Sequence, residues 1–402
     1  MGTLLKGRDL ARSEFKANPY PFYARLRREE PVCRVSTAFL NAWLVTRYDD
    51  AVTVLRDPRI SKNISAQMRY IPRFARPLTD HMLGRDPPDH TRLRALVSKA
   101  FTPRRIEELR GRIQSMCDAL LSAVQKDAGF DLVRDYALPL PLAVISEMLG
   151  IPERERRRFH RIIRGGIAIG APTRMLDVPL ALPYVWVLMR YFRKIFAERR
   201  ANPGDDLISA LVQAEEAGDR LSENELMGTS ILLLFAGYET TVNLIASGAL
   251  ALLEHPGQRA RFVEDPALAV SAIEELLRFT SPLEITPPSV AREDLAIGSV
   301  TIRKGDLVSA VLGSANRDES QFAAPETLDL ARDPNRHLAF GQGIHFCLGA
   351  PLARMEGQIA LTMLFQRVPY LRLAQPAASL RWRNLLPLRG LEALPVEVGT
   401  AP

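Results

Sequence analysis

Apolar residues recur with helical spacing along most of the chain. The pattern predicts helices over residues 92–100, stopping before Pro103, and over 104–121, 138–149, 184–200 and 206–216. The clearest element begins at Ser222. Ser222 and Glu225, three residues apart, form a capping box in which hydroxyl and carboxylate each reach the other's backbone N–H. Apolar residues then run almost unbroken to Leu253, before His255-Pro256-Gly257 ends the helix. Thirty-odd residues make a rod of roughly 45–50 Å. It is apolar on nearly every face, so it is expected to thread the middle of the molecule. A further helix is predicted from an Asp265 N-cap, with Pro266 in its first turn, to Phe279, and another over 351–365. Strand-like segments are short: 32–35, 42–46, 289–291, 296–302 and 307–311. The expected fold class is mainly α with small β-sheets. It is read as a single domain over 1–402, with its β-rich part near 30–47 and 283–311.

Composition narrows the class. With 47% apolar and 25% charged residues, the chain reads as an ordinary folded soluble protein without linker or repeat. The first residues, Met1 to Arg8, carry charge where a signal peptide has its apolar core. No run reaches the ~18 apolar residues of a membrane span, and the longest, 178–189, is interrupted by Pro179 and Pro183. The expectation is a cytoplasmic protein with no membrane span. The net charge of +7 comes from scattered arginines. The densest group, Arg154 to Arg164, lies beside Glu153 and Glu155 and reads as a solvated helix face. No nucleic-acid module is visible.

There are three cysteines, Cys33, Cys117 and Cys347. An odd set at wide spacing is neither a disulfide framework nor a zinc site. Cys347 stands apart in Phe340-Gly341-Gln342-Gly343-Ile344-His345-Phe346-Cys347-Leu348-Gly349. Glycines before and after it permit unusual backbone angles and close approach of a flat ligand. The helix predicted from Pro351 places the thiol at a helix N-terminus, where free N–H groups and the macrodipole favour an anion. A buried, inert thiol accounts for Cys33 and Cys117 but not for this glycine framing.

These residues resemble the cytochrome P450 family, soluble bacterial type. Its ligand signature, Phe-x-x-Gly-x-x-x-Cys-x-Gly, is complete here as Phe340, Gly343, Cys347 and Gly349. The resemblance covers nearly the whole chain. It implies a long central helix over a haem (haem b) held by a cysteine loop, with Cys347 as axial ligand to the iron, and Phe340, Gly341 and Gly349 framing the cofactor. In the long helix, Ala236-Gly237-Tyr238-Glu239-Thr240-Thr241 is similar to the family's oxygen-activation motif. The resemblance makes Thr240 a hydrogen-bonding partner of dioxygen, Glu239 part of a proton relay, and Ala236 a neighbour of the haem. Glu275-Leu276-Leu277-Arg278 matches the family's Glu-x-x-Arg pair, with Arg332 as the second arginine. Their implied role is structural. His90, Arg94 and His345 are implied to bind the haem propionates. One departure is visible: where the family usually has an arginine, this chain has Ser289, which leaves Arg292 as a substitute.

The resemblance further implies a monooxygenase that inserts one atom of O2 into a lipophilic fatty acid, terpenoid or polyketide. Candidate pocket segments are 65–71, Leu232, Leu233, Ala236, 283–287 and 178–189. No dinucleotide-binding fingerprint is present, so a ferredoxin or flavodoxin with an NAD(P)H-dependent reductase is expected to supply electrons. Residues 85–112 hold eight Lys/Arg against four Asp/Glu, a basic face for such an acidic partner. A thiolate-haem sensor without turnover, a haem-free helical binding protein and a peroxide-driven relative of the same fold remain the alternatives.

Overall fold

In the computed structural model, the described residues are 4–37, 41–64, 80–99, 101–124, 128–169, 177–216 and 221–399. They divide into two compact units. The first comprises Met1–Ile60, Glu107–Pro141 and Glu239–Pro402. The second comprises Ser61–Ile106 and Leu142–Tyr238.

The first unit contains the sheets. Strands β1 (Leu4–Lys6), β2 (Val32–Ser36), β3 (Asn41–Val45), β4 (Ile60–Ser61), β6 (Ser289–Ala291) and β9 (Leu307–Ala310) form one sheet in the order β1-β2-β3-β9-β6-β4, and β5 (Gly129–Asp131) belongs to another. The two β-rich stretches read from the sequence meet here. β3 and β9 pair in parallel, with Ala42 opposite Leu307 and Val45 opposite Ala310. Val32, Val45, Val308, Ala310 and Leu312 pack under that sheet against Tyr48, Ala51 and Val54 of the helix Tyr48–Arg56.

Several expectations need adjustment. Residues 296–302 are not one strand but the hairpin β7 (Leu295–Ile297) and β8 (Val300–Ile302). Gly298 sits between them at φ +55°, a conformation that glycine adopts without a steric penalty. Residues 104–121 form two helices, Pro103–Glu108 and Arg110–Val124. His255-Pro256 does end the long helix, but a new helix, Pro256–Glu264, starts at once. Proline suits that first position because its missing N–H has no intrahelical partner there anyway. Asp265 then caps only a short 3-10 turn, Pro266–Leu268, through the Ala267 N–H, before the helix Ala269–Thr280. The N-terminal helices Gly7–Leu10, Ser13–Ala17, Tyr20–Glu29 and Tyr48–Arg56 were not foreseen.

The second unit is helical. The predicted helices appear as Asp89–Ser98, Pro139–Met148, Asp177–Ala201 and Leu207–Glu216, the second of them beginning in the first unit. The Asp177–Ala201 helix continues through Pro183 and so starts earlier than predicted. On Glu153–Ile169, Glu153, Arg154, Arg158 and Arg161 are exposed, the solvated face expected. The long helix spans Glu223–Glu254. Its capping box is formed: the Ser222 N–H donates to Glu225 Oε2 at 2.7 Å, and the Glu225 N–H donates to Ser222 Oγ at 3.2 Å. Among the described residues this is the one helix apolar and long enough to cross a membrane, and 72% of its apolar window is buried inside the protein.

Candidate functional site

Cys347 lies where the chain turns into the 18-residue helix Ala350–Arg367, for which Gly349 is the N-cap. The turn is held by its own backbone. The Cys347 N–H donates to the Phe340 carbonyl at 2.9 Å, the Gly341 N–H to Leu338 at 2.8 Å, and the Phe346 N–H to Gly343 at 3.1 Å. Gly341 and Gly343 adopt φ of +68° and +73°. At Gly343 a side chain is doubly excluded, because a Cβ there would stand 2.9 Å from the Leu55 carbonyl. At Gly341 and Gly349 a Cβ would meet nothing within 4 Å, so the turn leaves room on their side. Ile344 and Phe346 present apolar side chains 51% and 41% exposed, and His345 is part of the same short 3-10 turn. This donor set suits a haem: a soft sulfur at a helix N-terminus, bordered by space and apolar surface.

The other two thiols are of a different kind. Cys33 and Cys117 are fully buried, and burial pushes their pKa values up to about 12 and about 11. They stay protonated, as expected of packing residues.

The long helix has one open stripe. From Leu226 to Leu252 its residues are buried, apart from Leu232, Phe235, Ala236, Gly237 and Thr240. Leu232, Ala236 and Thr240 are four residues apart and share a face. Gly237 makes room for Ile145, whose Cδ1 lies 3.2 Å from the position of a Cβ. Glu239 is 6% exposed and forms an ion pair with Arg383. Arg383 sits in the C-terminal segment, its N–H bonded to the Gly390 carbonyl. No sequence pattern pointed to it, since 144 residues separate the partners.

The Glu-x-x-Arg pair is fully buried. Arg278 places all its donors: two on Glu275 at 2.7 Å each, two on the carbonyls of Asn316 and Pro325, and one on that of Thr327. Arg332 Nε lies 3.1 Å from both Glu275 oxygens, and Asn335 Nδ2 and the Asp329 N–H complete the carboxylate's shell. Five guanidinium donors find five acceptors, which is what makes burial of the charge tolerable.

His90 and Arg94 sit four apart on the helix Asp89–Ser98. His90 is 2% exposed, and burial lowers its pKa, aided by the Arg94 charge. A neutral imidazole beside a cation is the state that follows. Ser289 is fully buried in β6. Arg292 is exposed just past the strand, its N–H on the Arg59 carbonyl at 2.8 Å. Of the expected pocket segments, 65–71 lies outside the described residues. In 283–287, the N–H groups of Glu284 and Ile285 both reach the Pro387 carbonyl. In 178–189, Leu188 and Met189 are buried.

Glu356, nine residues after Cys347, is fully buried, and burial raises its carboxyl pKa to about 8. Folding therefore takes up a proton between about pH 4.5 and pH 8. The penalty is absent below that window and complete above it. Glu356→Gln is expected to gain a few kcal/mol relative to the wild type as pH rises from 5 to 9, and to match it at pH 4.5. Urea midpoints across that range check this.

The Cys347 turn, the buried Glu275–Arg278–Arg332 cluster and the acid–hydroxyl pair in a long helix together define a haem-thiolate type of protein. The cytochrome P450 family model matches residues 185–266 and 266–373. The chain belongs to that family. It is 43% identical over 396 residues to the polyketide biosynthesis cytochrome P450 PksS of Bacillus subtilis, covering 96% of this chain and 97% of that one. It is 45% identical over 388 residues to cytochrome P450 107B1 of Saccharopolyspora erythraea, covering 94% of each. The crystal structure of the myxobacterial cytochrome P450 CYP267B1 in complex with myristic acid superposes with a TM-score of 0.91 at 42% identity, covering 98% of this chain and 99% of that one. As a member of this family the protein is a haem-dependent monooxygenase that uses O2 and a redox partner.

Proposed function

We propose that residues 1–402 act as one catalytic domain in which Cys347 is the axial thiolate of a haem b and the substrate is a fatty acid or polyketide. The observation that carries this is the Cys347 turn: a partly exposed thiol at a helix N-terminus, framed by open glycines, whereas burial keeps the other two cysteines inert. PksS supports the polyketide class, and the myristate complex of CYP267B1 supports the fatty acid class. Bound haem supplies the activation of O2 and the transfer of one of its atoms. The chain's own residues bind and protect that group. Phe340, Gly341 and Gly349 leave the cysteine side open to a flat ring, and Ala236 offers a methyl-sized surface on the open stripe. His90, Arg94 and His345 supply donors for the propionates, with Arg292 as a further cation in place of the family arginine missing at Ser289.

On the open stripe, Thr240 holds a hydroxyl where dioxygen would be met, and Glu239 holds a carboxylate next to it. Arg383 keeps that carboxylate tethered and is itself 26% exposed, so the ion pair reaches from the buried acid toward solvent. Glu239→Gln is expected to lower kcat by roughly 10²-fold with little change in substrate affinity. Thr240→Ala is expected to keep NADPH consumption but divert it from product to hydrogen peroxide. Stopped-flow turnover and peroxide assays check both.

A ferredoxin or flavodoxin, with its NAD(P)H-dependent reductase, supplies the electrons in this reading, and the protein works in the cytoplasm. The basic stretch meant for that partner is less free than its composition implies. Arg85, Arg92, Arg105 and Arg110 already pair with Asp80, Glu225, Asp205 and Glu107. The deciding test of the whole reading is spectroscopic. Purified, reduced protein under carbon monoxide should show the long-wavelength band of thiolate-ligated haem. Its absence from fully haem-loaded protein overturns the assignment of Cys347.

A further inference from the structure

Glu274 precedes the buried Glu275 but serves a different set of partners. Arg354 donates to it through Nε and Nη2, at 2.7 Å to each oxygen. His337 Nε2 lies 3.0 Å from Glu274 Oε2. His337 Nδ1 accepts the Ala339 N–H at 3.2 Å, so in this network Nε2 carries the proton and donates to the carboxylate. One acid thus grips the chain at both ends of the cysteine segment: His337 before it and Arg354 after it.

Arg354 is also tied to the cysteine segment. It stands near the start of the helix Ala350–Arg367, which begins three residues after Cys347. Its guanidinium carbon stands 4.6 Å from the centre of the Phe340 ring. The Phe340 carbonyl accepts the Cys347 N–H. Hydrogen bonding to Glu274 is the main influence raising the Arg354 pKa, and the Cys347 charge adds to it. Burial alone would raise the Glu274 carboxyl, yet the bonds from Arg354 and His337 outweigh it and bring it down to about 2. The acid is therefore ionised at any working pH. This is not a loose surface pair, because His337 is 3% exposed and Glu274 is 23% exposed.

We propose that Glu274 is a positioning residue for the thiolate: it holds the Arg354 cation toward the Cys347 sulfur, holds His337 under the same loop, and with Arg354 sets the charge felt at the metal. The inference rests on Cys347 being the haem ligand. Charges outside the ligand tune a metal centre through its field and through the ligand's orientation. Reduction adds an electron to the iron, so a nearby cation favours the reduced state and an anion disfavours it.

The test is a spectroelectrochemical titration of the holoenzyme and three variants. Glu274→Gln keeps the side-chain volume but removes the anion, and is expected to raise the ferric–ferrous potential. Arg354→Met removes the cation and is expected to lower it. The double variant should fall between the two. A purely structural role gives no such opposite shifts. If Arg354→Met fails to fold, Glu274→Gln decides alone: a raised potential supports the proposal and an unchanged one overturns it. Shifts of both variants in the same direction also overturn it. Wild-type protein that lacks the thiolate carbon-monoxide band defeats the ligand assignment and this proposal together. A wild type that has the band, with variants at its own potential, defeats this proposal alone.

Discussion

Cys347→Ser is expected to abolish monooxygenation and the thiolate carbon-monoxide band while leaving the far-ultraviolet circular dichroism intact. A serine fills the same turn, and the backbone bonds to Phe340, Gly341 and Gly343 do not involve the side chain. What is lost is the soft anionic donor. A hydroxyl neither ionises as readily nor pushes electron density to the iron as a thiolate does. Product formation with any competent redox partner should drop to background. Cys33→Ala and Cys117→Ala provide the controls. Both thiols are buried, and both should keep the band and the activity, with only a modest loss of stability from the cavity left behind. Carbon-monoxide difference spectra and product analysis of the three variants check this.

The largest stability effect is expected at Arg278. Arg278→Leu removes one of the charges that neutralise the buried Glu275 carboxylate and leaves the carbonyls of Asn316, Pro325 and Thr327 without that donor in a buried site. Removing one partner of a buried ion pair costs about 3–5 kcal/mol. A domain of ordinary stability has about 5–15 kcal/mol in all. The variant should therefore express poorly, bind little haem and unfold at much lower urea. Arg278→Lys should fare badly too, since three ammonium donors cannot serve five acceptors. By contrast, the Arg303–Asp294 pair, 70% and 50% exposed, is screened by water, and Arg303→Ala should leave the urea midpoint unchanged. Equilibrium urea curves for the three variants separate these cases.

The contrast between those two arginines shows why only part of the site could be read from the chain. Glu275 and Arg278 are three apart, so their pairing follows from helix geometry. That the pair is buried, and that Asn316, Pro325 and Thr327 turn their carbonyls toward it, depends on segments 38 to 49 residues away. Cys347, Gly343 and Phe340 were legible because a turn is a local object whose glycines betray its angles. Arg383 was not, because nothing near it in the sequence announces Glu239. Arg354 and His337 were missed for the same reason. The short N-terminal helices escaped because a helix such as Ser13–Ala17 is too brief to have a period. It exists by packing, with Lys16 buried against Glu284.

Local chemistry alone determined the helical character of the chain, the capped start of its long helix at Ser222, the glycine turn before Cys347 and the proximity of Glu275 to Arg278. Each rests on contacts within a few residues, where backbone geometry leaves few choices. The tertiary structure decided the rest: the parallel pairing of β3 with β9, the tether of Arg383 on Glu239, and the grip of Glu274 on both sides of the cysteine. Such partners are chosen by which surfaces become buried together. Burial is a property of the folded chain, in which distance along the sequence no longer measures distance in space.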